Sequence, residues 1–141
     1  VSVRNEPLPL TVNVDLDDRA FLFPSGKSVT RLVISTDADL IHFDAIYPFN
    51  TSRTSPRIMT LRLEDAREFA LQMVDTVYNA RTQHAFSETM RIDINVLANG
   101  YHLKIGDLNQ STDLYLGTSA IWRVCQGVLR AIDHISPIES Q

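Results

Sequence analysis

The run from Arg91 to Gly106, RIDINVLANGYHLKIG, constrains the fold more than any other stretch of the chain. Asn99-Gly100 between two alternating apolar runs is a hairpin signal, because a type I′ turn needs positive φ at both central residues. Pairing outward from that turn predicts Ala98 opposite Tyr101, Val96 opposite Leu103 and Ile94 opposite Ile105. Six apolar side chains then share one face. Asn95 with Lys104 and Leu97 with His102 fall on the other. One face is built for a core and the other for solvent or a partner.

A chain of 141 residues, 44% hydrophobic, can bury one substantial core, so residues 1–141 are expected to form a single domain. A formal charge of −4 and a pI near 5.5 argue against indiscriminate polyanion binding, although a local basic patch is compatible with them. The one cysteine, Cys125, stands at apolar spacing in a helical pattern and reads as a buried, reduced thiol. No apolar run approaches the roughly 20 residues of a membrane span, and the N-terminus lacks the layout of a signal peptide. The expectation is a cytoplasmic protein without membrane contact.

Val1 to Pro9 reads as an arm, since Pro7 and Pro9 remove donors that a central strand needs. Leu10–Leu16 alternates without a break and Ala20–Phe23 follows after Asp17-Asp18, giving an N-terminal hairpin. Val29–Ser35 and Leu40–Tyr47 form a second hairpin, and Ile58–Leu61 a further strand. The first half, residues 10–79, ends in a helix over 64–79, with Ala66, Phe69, Ala70, Met73, Val74 and Val77 on one stripe. Arg81 to Thr89 is a connector. The second half, residues 90–135, holds the Asn-Gly hairpin, a strand at Asp113–Leu116 and a helix over 119–134 capped by Thr118 or Ser119.

The halves share an order, and a shift of 55 residues lays the first apolar stripe on Ile121, Val124, Cys125, Val128, Leu129 and Ile132. The fold class expected is α+β: two βββα-like repeats of antiparallel strands, each followed by an amphipathic helix, plus an extra N-terminal β-hairpin. Neither unit can bury its apolar side alone, so the two pack together or onto a second copy, which makes a homo-oligomer the expected state. In Ile58 to Val77 and Ile92 to Ile132 this arrangement resembles the PUR-repeat and Whirly type of single-stranded nucleic-acid-binding proteins. The resemblance implies basic and aromatic residues on the exposed sheet face. Arg31, His42, Tyr47, His102, Lys104 and Tyr115 are the candidates here, with Asp44 and Asp93 interspersed.

Pro48 to Leu63 contains Arg53, Arg57 and Arg62 and no acid. With Tyr47 and Phe49 it offers guanidinium groups for phosphates and rings for base stacking, and Lys104 adds a cation on the exposed sheet face. His42 and Asp44 share a strand face at a spacing that can serve a metal or acid–base work, but two ligands do not make a site. The remaining histidines, His84, His102 and His134, are assigned no role. No HExxH, paired CxxC, GxSxG or phosphate-loop pattern is present, so no catalytic residue, metal or cofactor is assigned. Trp122 lies on the flank of the second helix, where it closes a core edge or an oligomer contact. The leading expectation is a non-catalytic module that binds single-stranded nucleic acid through Tyr47, Phe49, Arg53, Arg57, Arg62 and Lys104. A protein-interaction or assembly module is the first alternative, and a small-ligand pocket or enzyme the second.

Overall fold

The computed structural model describes residues 8–16, 29–46, 57–86, 90–98, 100–107 and 109–136. β1 (Thr11–Asp15), β2 (Arg31–Asp37), β3 (Leu40–Ile46) and β4 (Arg57–Arg62) form one antiparallel sheet in chain order, and β4 runs into α1 (Leu63–Asn79). β5 (Gln83–Phe86), β6 (Arg91–Leu97), β7 (Gly100–Gly106) and β8 (Ser111–Leu116) form a second sheet in the same order, and β8 runs into α2 (Thr118–Ile135). The α+β architecture with strands leading straight into helices is therefore as the sequence pattern implies. The alternation of buried and exposed residues along β1, β2 and β3 has the period of two that a sheet with one wet face requires.

Several details differ from expectation. Among the described residues each half has four strands. The N-terminal strand is an integral edge of the first sheet, pairing with β2 so that Val12 faces Ile34 and Val14 faces Leu32. Its expected hairpin partner, Ala20–Phe23, lies outside the described residues. The expected connector contains β5, whose four residues gain their ladder by pairing with β6. The Asn-Gly hairpin is paired two residues away from the expected register: Leu97 faces Gly100, Ile94 faces Leu103 and Ile92 faces Ile105. Because side chains alternate with period two, a slip of two keeps every residue on its expected face. The observed register sets Asn95 against His102 and Asp93 against Lys104, which gives the polar face complementary cross-strand pairs. Asn99 itself lies outside the described residues.

α2 begins without the side-chain cap expected from Thr118 or Ser119, and α1 likewise has none. Arg62 and Gly117 occupy the N-cap positions in nearly the same extended conformation, and neither makes a capping hydrogen bond, so Thr118 is already helical. A strand entering a helix through one extended residue leaves little room for a capping turn. α1 ends at Ala80, in the left-handed region at φ 50°, a conformation that ordinarily favours glycine.

Each helix bridges both sheets, α2 also meeting β7 and β8 of its own half. α2 lies on β1 and β2, while α1 packs against β5 and β6 as well as β3 and β4 of its own half. Gly127 permits this approach, because a Cβ there would stand 2.9 Å from Ile34 Cδ1 and 3.2 Å from Val14 Cγ2. Arg123 ties the same helix to the end of β1 by donating to the carbonyl oxygen of Asp15 at 2.8 Å. Where the helices cross, the Cys125 thiol meets the carbonyl of Ala70, 55 positions earlier and thus its counterpart on the first stripe. Cys125 is buried as expected, and burial pushes its thiol up from the ordinary value, which keeps it unreactive. Trp122 is partly buried at the core edge, edge-on to Tyr78 at 6.2 Å. One contiguous apolar cluster runs through both sheets and both helices, so each half completes the core of the other.

Candidate functional site

With both inner faces covered by helices, the outward faces and the margin of β4 remain to meet a ligand. At β4 the ladder breaks: Phe43 faces Met59 but Asp44 faces Arg57, so Ile58 is an inserted residue. Such a bulge re-aims the side chains beside it. Here it brings the Arg57 guanidinium onto the Asp44 carboxylate at 3.0 Å. Ile58 is left half-buried at the margin of a cleft of about 300 Å³ lined by Leu40, Arg57, Ile58, Met59, Thr60, Arg62 and Asp107. Arg62 is exposed and has no ion-pair partner among the described residues.

Asp107 comes from the turn after β7. Its carboxylate accepts the backbone N–H groups of Gln110 and Asn109 at 2.9 and 2.8 Å, and these bonds hold its carboxyl below the ordinary aspartate value. Two arginines, the apolar side chains of Leu40, Ile58 and Met59, and the Asp107 carboxylate therefore line one cleft.

The outward faces carry a second pattern. His42 and His102 are each the third residue of the third strand in their sheet. Both are largely enclosed, with 12% and 18% of the side chain exposed, and both approach a carboxylate through Nε2. His42 Nδ1 lies 2.8 Å from Thr60 Oγ1 and its Nε2 lies 3.6 Å from Asp37. His102 Nδ1 accepts from the Asn95 amide at 3.1 Å, its Nε2–H donates to Asp113 at 2.8 Å, and its ring lies against Tyr115 at 4.8 Å.

A third pair lies beside them. His84 Nδ1 is 2.6 Å from Asp93, which also accepts from Arg91 Nε at 3.1 Å. Burial works to raise the Asp93 carboxyl, but the hydrogen bonds from His84 and Arg91, with their charges, outweigh it and hold it below the ordinary value. The carboxylate accepts only, so Nδ1 of His84 carries the hydrogen and the exposed ring presents Nε2 outward.

Of the residues singled out from sequence, Tyr47, Phe49 and Arg53 lie outside the described residues. Arg57 and Arg62 meet in the β4 cleft, whereas Lys104 stands on the outward face of the second sheet, between Asp93 on β6 and Asp113 on β8. His42 and Asp44 share a face but serve different partners, the carboxylate going to Arg57. Among the described residues no group of three metal-ligating side chains occurs. Sequence reasoning passed over Asp37 and Asp113 and gave His84 no role, while His102 and Asp93 were placed on the exposed sheet face without their partners. Their signal is cross-strand adjacency, which becomes visible only in the correct register.

No family model matches the chain, and no curated protein matches it. Among solved structures it is similar to a chain in the crystal structures of trypanosoma bruciei MRP1/MRP2, at 14% identity and a TM-score of 0.49, covering 96% of this chain and 98% of that one. Among the described residues no helix is long and apolar enough to cross a membrane.

Proposed function

We propose that the protein is a non-catalytic binding module that receives single-stranded nucleic acid along the β4 cleft and the outward sheet faces. The observation that carries this reading is that Arg57 and Arg62 line one cleft together with the apolar side chains of Leu40 and Ile58. Guanidinium groups beside apolar side chains suit a strand that exposes phosphates on one side and base faces on the other. A duplex hides its base faces and loses that second contact. The acid-free segment that leads into β4 contributes Arg53, with Tyr47 and Phe49 as stacking rings, and Lys104 extends the contact onto the second sheet. The resemblance to PUR-repeat and Whirly proteins belongs to this reading.

The test is anisotropy of a labelled single-stranded oligonucleotide beside a duplex of the same sequence, at low and moderate salt. Binding that prefers the single strand and weakens with salt supports the proposal. Absence of binding even at low salt removes it.

A second reading, an assembly module, is favoured by a different observation. Leu71 and Leu129 are 64% and 48% exposed beside an apolar groove of about 280 Å³ between the helices. α1 carries Glu64, Asp65, Glu68 and Asp75 against Arg67, while α2 carries Arg123 and Arg130 against Asp133. A two-fold that laid α1 on α2 of a second copy would bury the leucines and set opposite charges together. Sedimentation equilibrium tests this: a dimer that Leu71→Glu dissociates supports it, and a monomer at high concentration removes it.

A further inference from the structure

We propose that the outward sheet surface is a proton-gated anion contact, in which His42, His84 and His102 convert a charge-balanced face into a cationic one as the pH falls. The inference rests on the single-strand reading and gives it a regulation. The charge balance can be read strand by strand. The outward strand positions carry Arg31, Arg57, Arg62, Arg91 and Lys104 as cations and Asp15, Asp37, Asp44, Asp93 and Asp113 as anions. The two sets are equal in number. Several are paired outright: Arg31 with Asp15, Arg57 with Asp44 and Arg91 with Asp93. With neutral imidazoles, the described outward strand positions therefore offer a polyanion no excess charge.

Imidazole is the side chain whose charge changes between about pH 5 and 8. Each histidine that takes a proton on this surface adds a positive charge for which no further anion stands among the outward strand positions. The geometry accommodates that proton at each site. His84 faces Asp93 and Arg91 from β6, with Lys104 beyond them on β7, and its Nε2 opens toward solvent. His42 faces Ser35 and Asp37 on β2 and Thr60 on β4, with Asp44 and its Arg57 further along β3; when charged, its two N–H groups find the Thr60 hydroxyl and the Asp37 carboxylate. His102 faces Asn95 on β6 and Asp113 and Tyr115 on β8, with Lys104 next along its own face. Its Nδ1 needs an acceptor once protonated, and rotation of the Asn95 amide supplies the carbonyl oxygen.

The test uses the full chain with a labelled oligothymidylate, whose bases do not titrate in this range, at pH 8 and at about pH 5.5 across a salt series. Of the three, His84 offers a free N–H for a direct phosphate contact, worth roughly 0.7 in the slope of log K against log salt on a single strand, while the enclosed His42 and His102 add charge to the face. The expected result is affinity at least tenfold higher at the lower pH, with the steeper slope. His84→Gln, at an exposed ring that puts the fold at little risk, should remove most of the added slope. The triple variant His42→Gln, His84→Gln, His102→Gln, checked for folding by circular dichroism, should remove nearly all of it.

Equal affinity and slope at both pH values overturn the inference while leaving the single-strand reading standing. So does a pH response that persists undiminished in His84→Gln or, where it folds, in the triple variant. Failure to bind at either pH overturns the single-strand reading and the gate with it.

Discussion

The third strand of the first sheet buries Ile41, Phe43 and Ala45, and the third strand of the second buries Leu103 and Ile105. Between those positions the outward residues are Leu40, His42 and Asp44 on one strand and Gly100, His102 and Lys104 on the other. The inner positions ask only for apolar volume, and different side chains satisfy them. Outside, the two strands share a histidine and then diverge to opposite charges. Asp44 draws Arg57 across the bulge into the β4 cleft, whereas Lys104 stands between two carboxylate-bearing strands. The halves are alike where they must pack and unlike on their outward faces.

The largest test of this comparison is inside. Phe69 and Val124 occupy equivalent places on the two helix stripes, and both are fully buried. Phe69 also meets Phe43 edge-on at 5.9 Å. Phe69→Ala should cost about 3–5 kcal/mol and Val124→Ala roughly 2 kcal/mol, from the transfer and cavity terms of the atoms removed. Urea unfolding measures both. Equal losses would mean that the two halves share the core more evenly than their side-chain volumes imply. Because each helix also covers the other half's sheet, each variant should unfold in one transition. Two separated transitions would show that the halves are independent.

A smaller effect is expected on the outward face of the second sheet. Asp93 has a folded-state pKa below its unfolded value, so the carboxylate contributes stability that is complete above the unfolded pKa near 3.8 and is lost as the pH falls through the folded one. Asp93→Asn should therefore destabilise by about 1–3 kcal/mol at neutral pH, the range for hydrogen bonds to charged groups. The deficit should shrink as the pH is lowered below 4. Denaturant titrations at several pH values read this directly, and a deficit constant from pH 7 to pH 3 would show that the charge of Asp93 contributes nothing.

Period and parity made much of this fold legible in the sequence. The stripes Ala66, Phe69, Ala70, Met73 and Ile121, Val124, Cys125, Val128 identify both helices because an apolar face must recur every three or four residues. Face assignment in the Asn-Gly hairpin is correct despite the register difference, because a slip of two changes no side chain's direction. What escaped depends on neighbours distant in sequence. β5 is a strand because β6 offers it a ladder. The Arg57–Asp44 contact depends on an inserted residue at Ile58, and the histidine–carboxylate pairs depend on cross-strand register. Arg57 and Arg62 were legible as an acid-free basic run, but Lys104 could be placed on the other sheet only by the fold.

In the proposed function an anionic single strand is anchored at the β4 cleft rather than attracted to arginine in general. Comparing Arg62→Glu with Arg130→Glu tests it most directly, since both residues are exposed and the second lies on α2, away from the cleft. In the low-salt anisotropy assay the account predicts at least a tenfold loss of affinity for Arg62→Glu and little change for Arg130→Glu. Equal losses from both, or none from Arg62→Glu in a protein that binds, would contradict it.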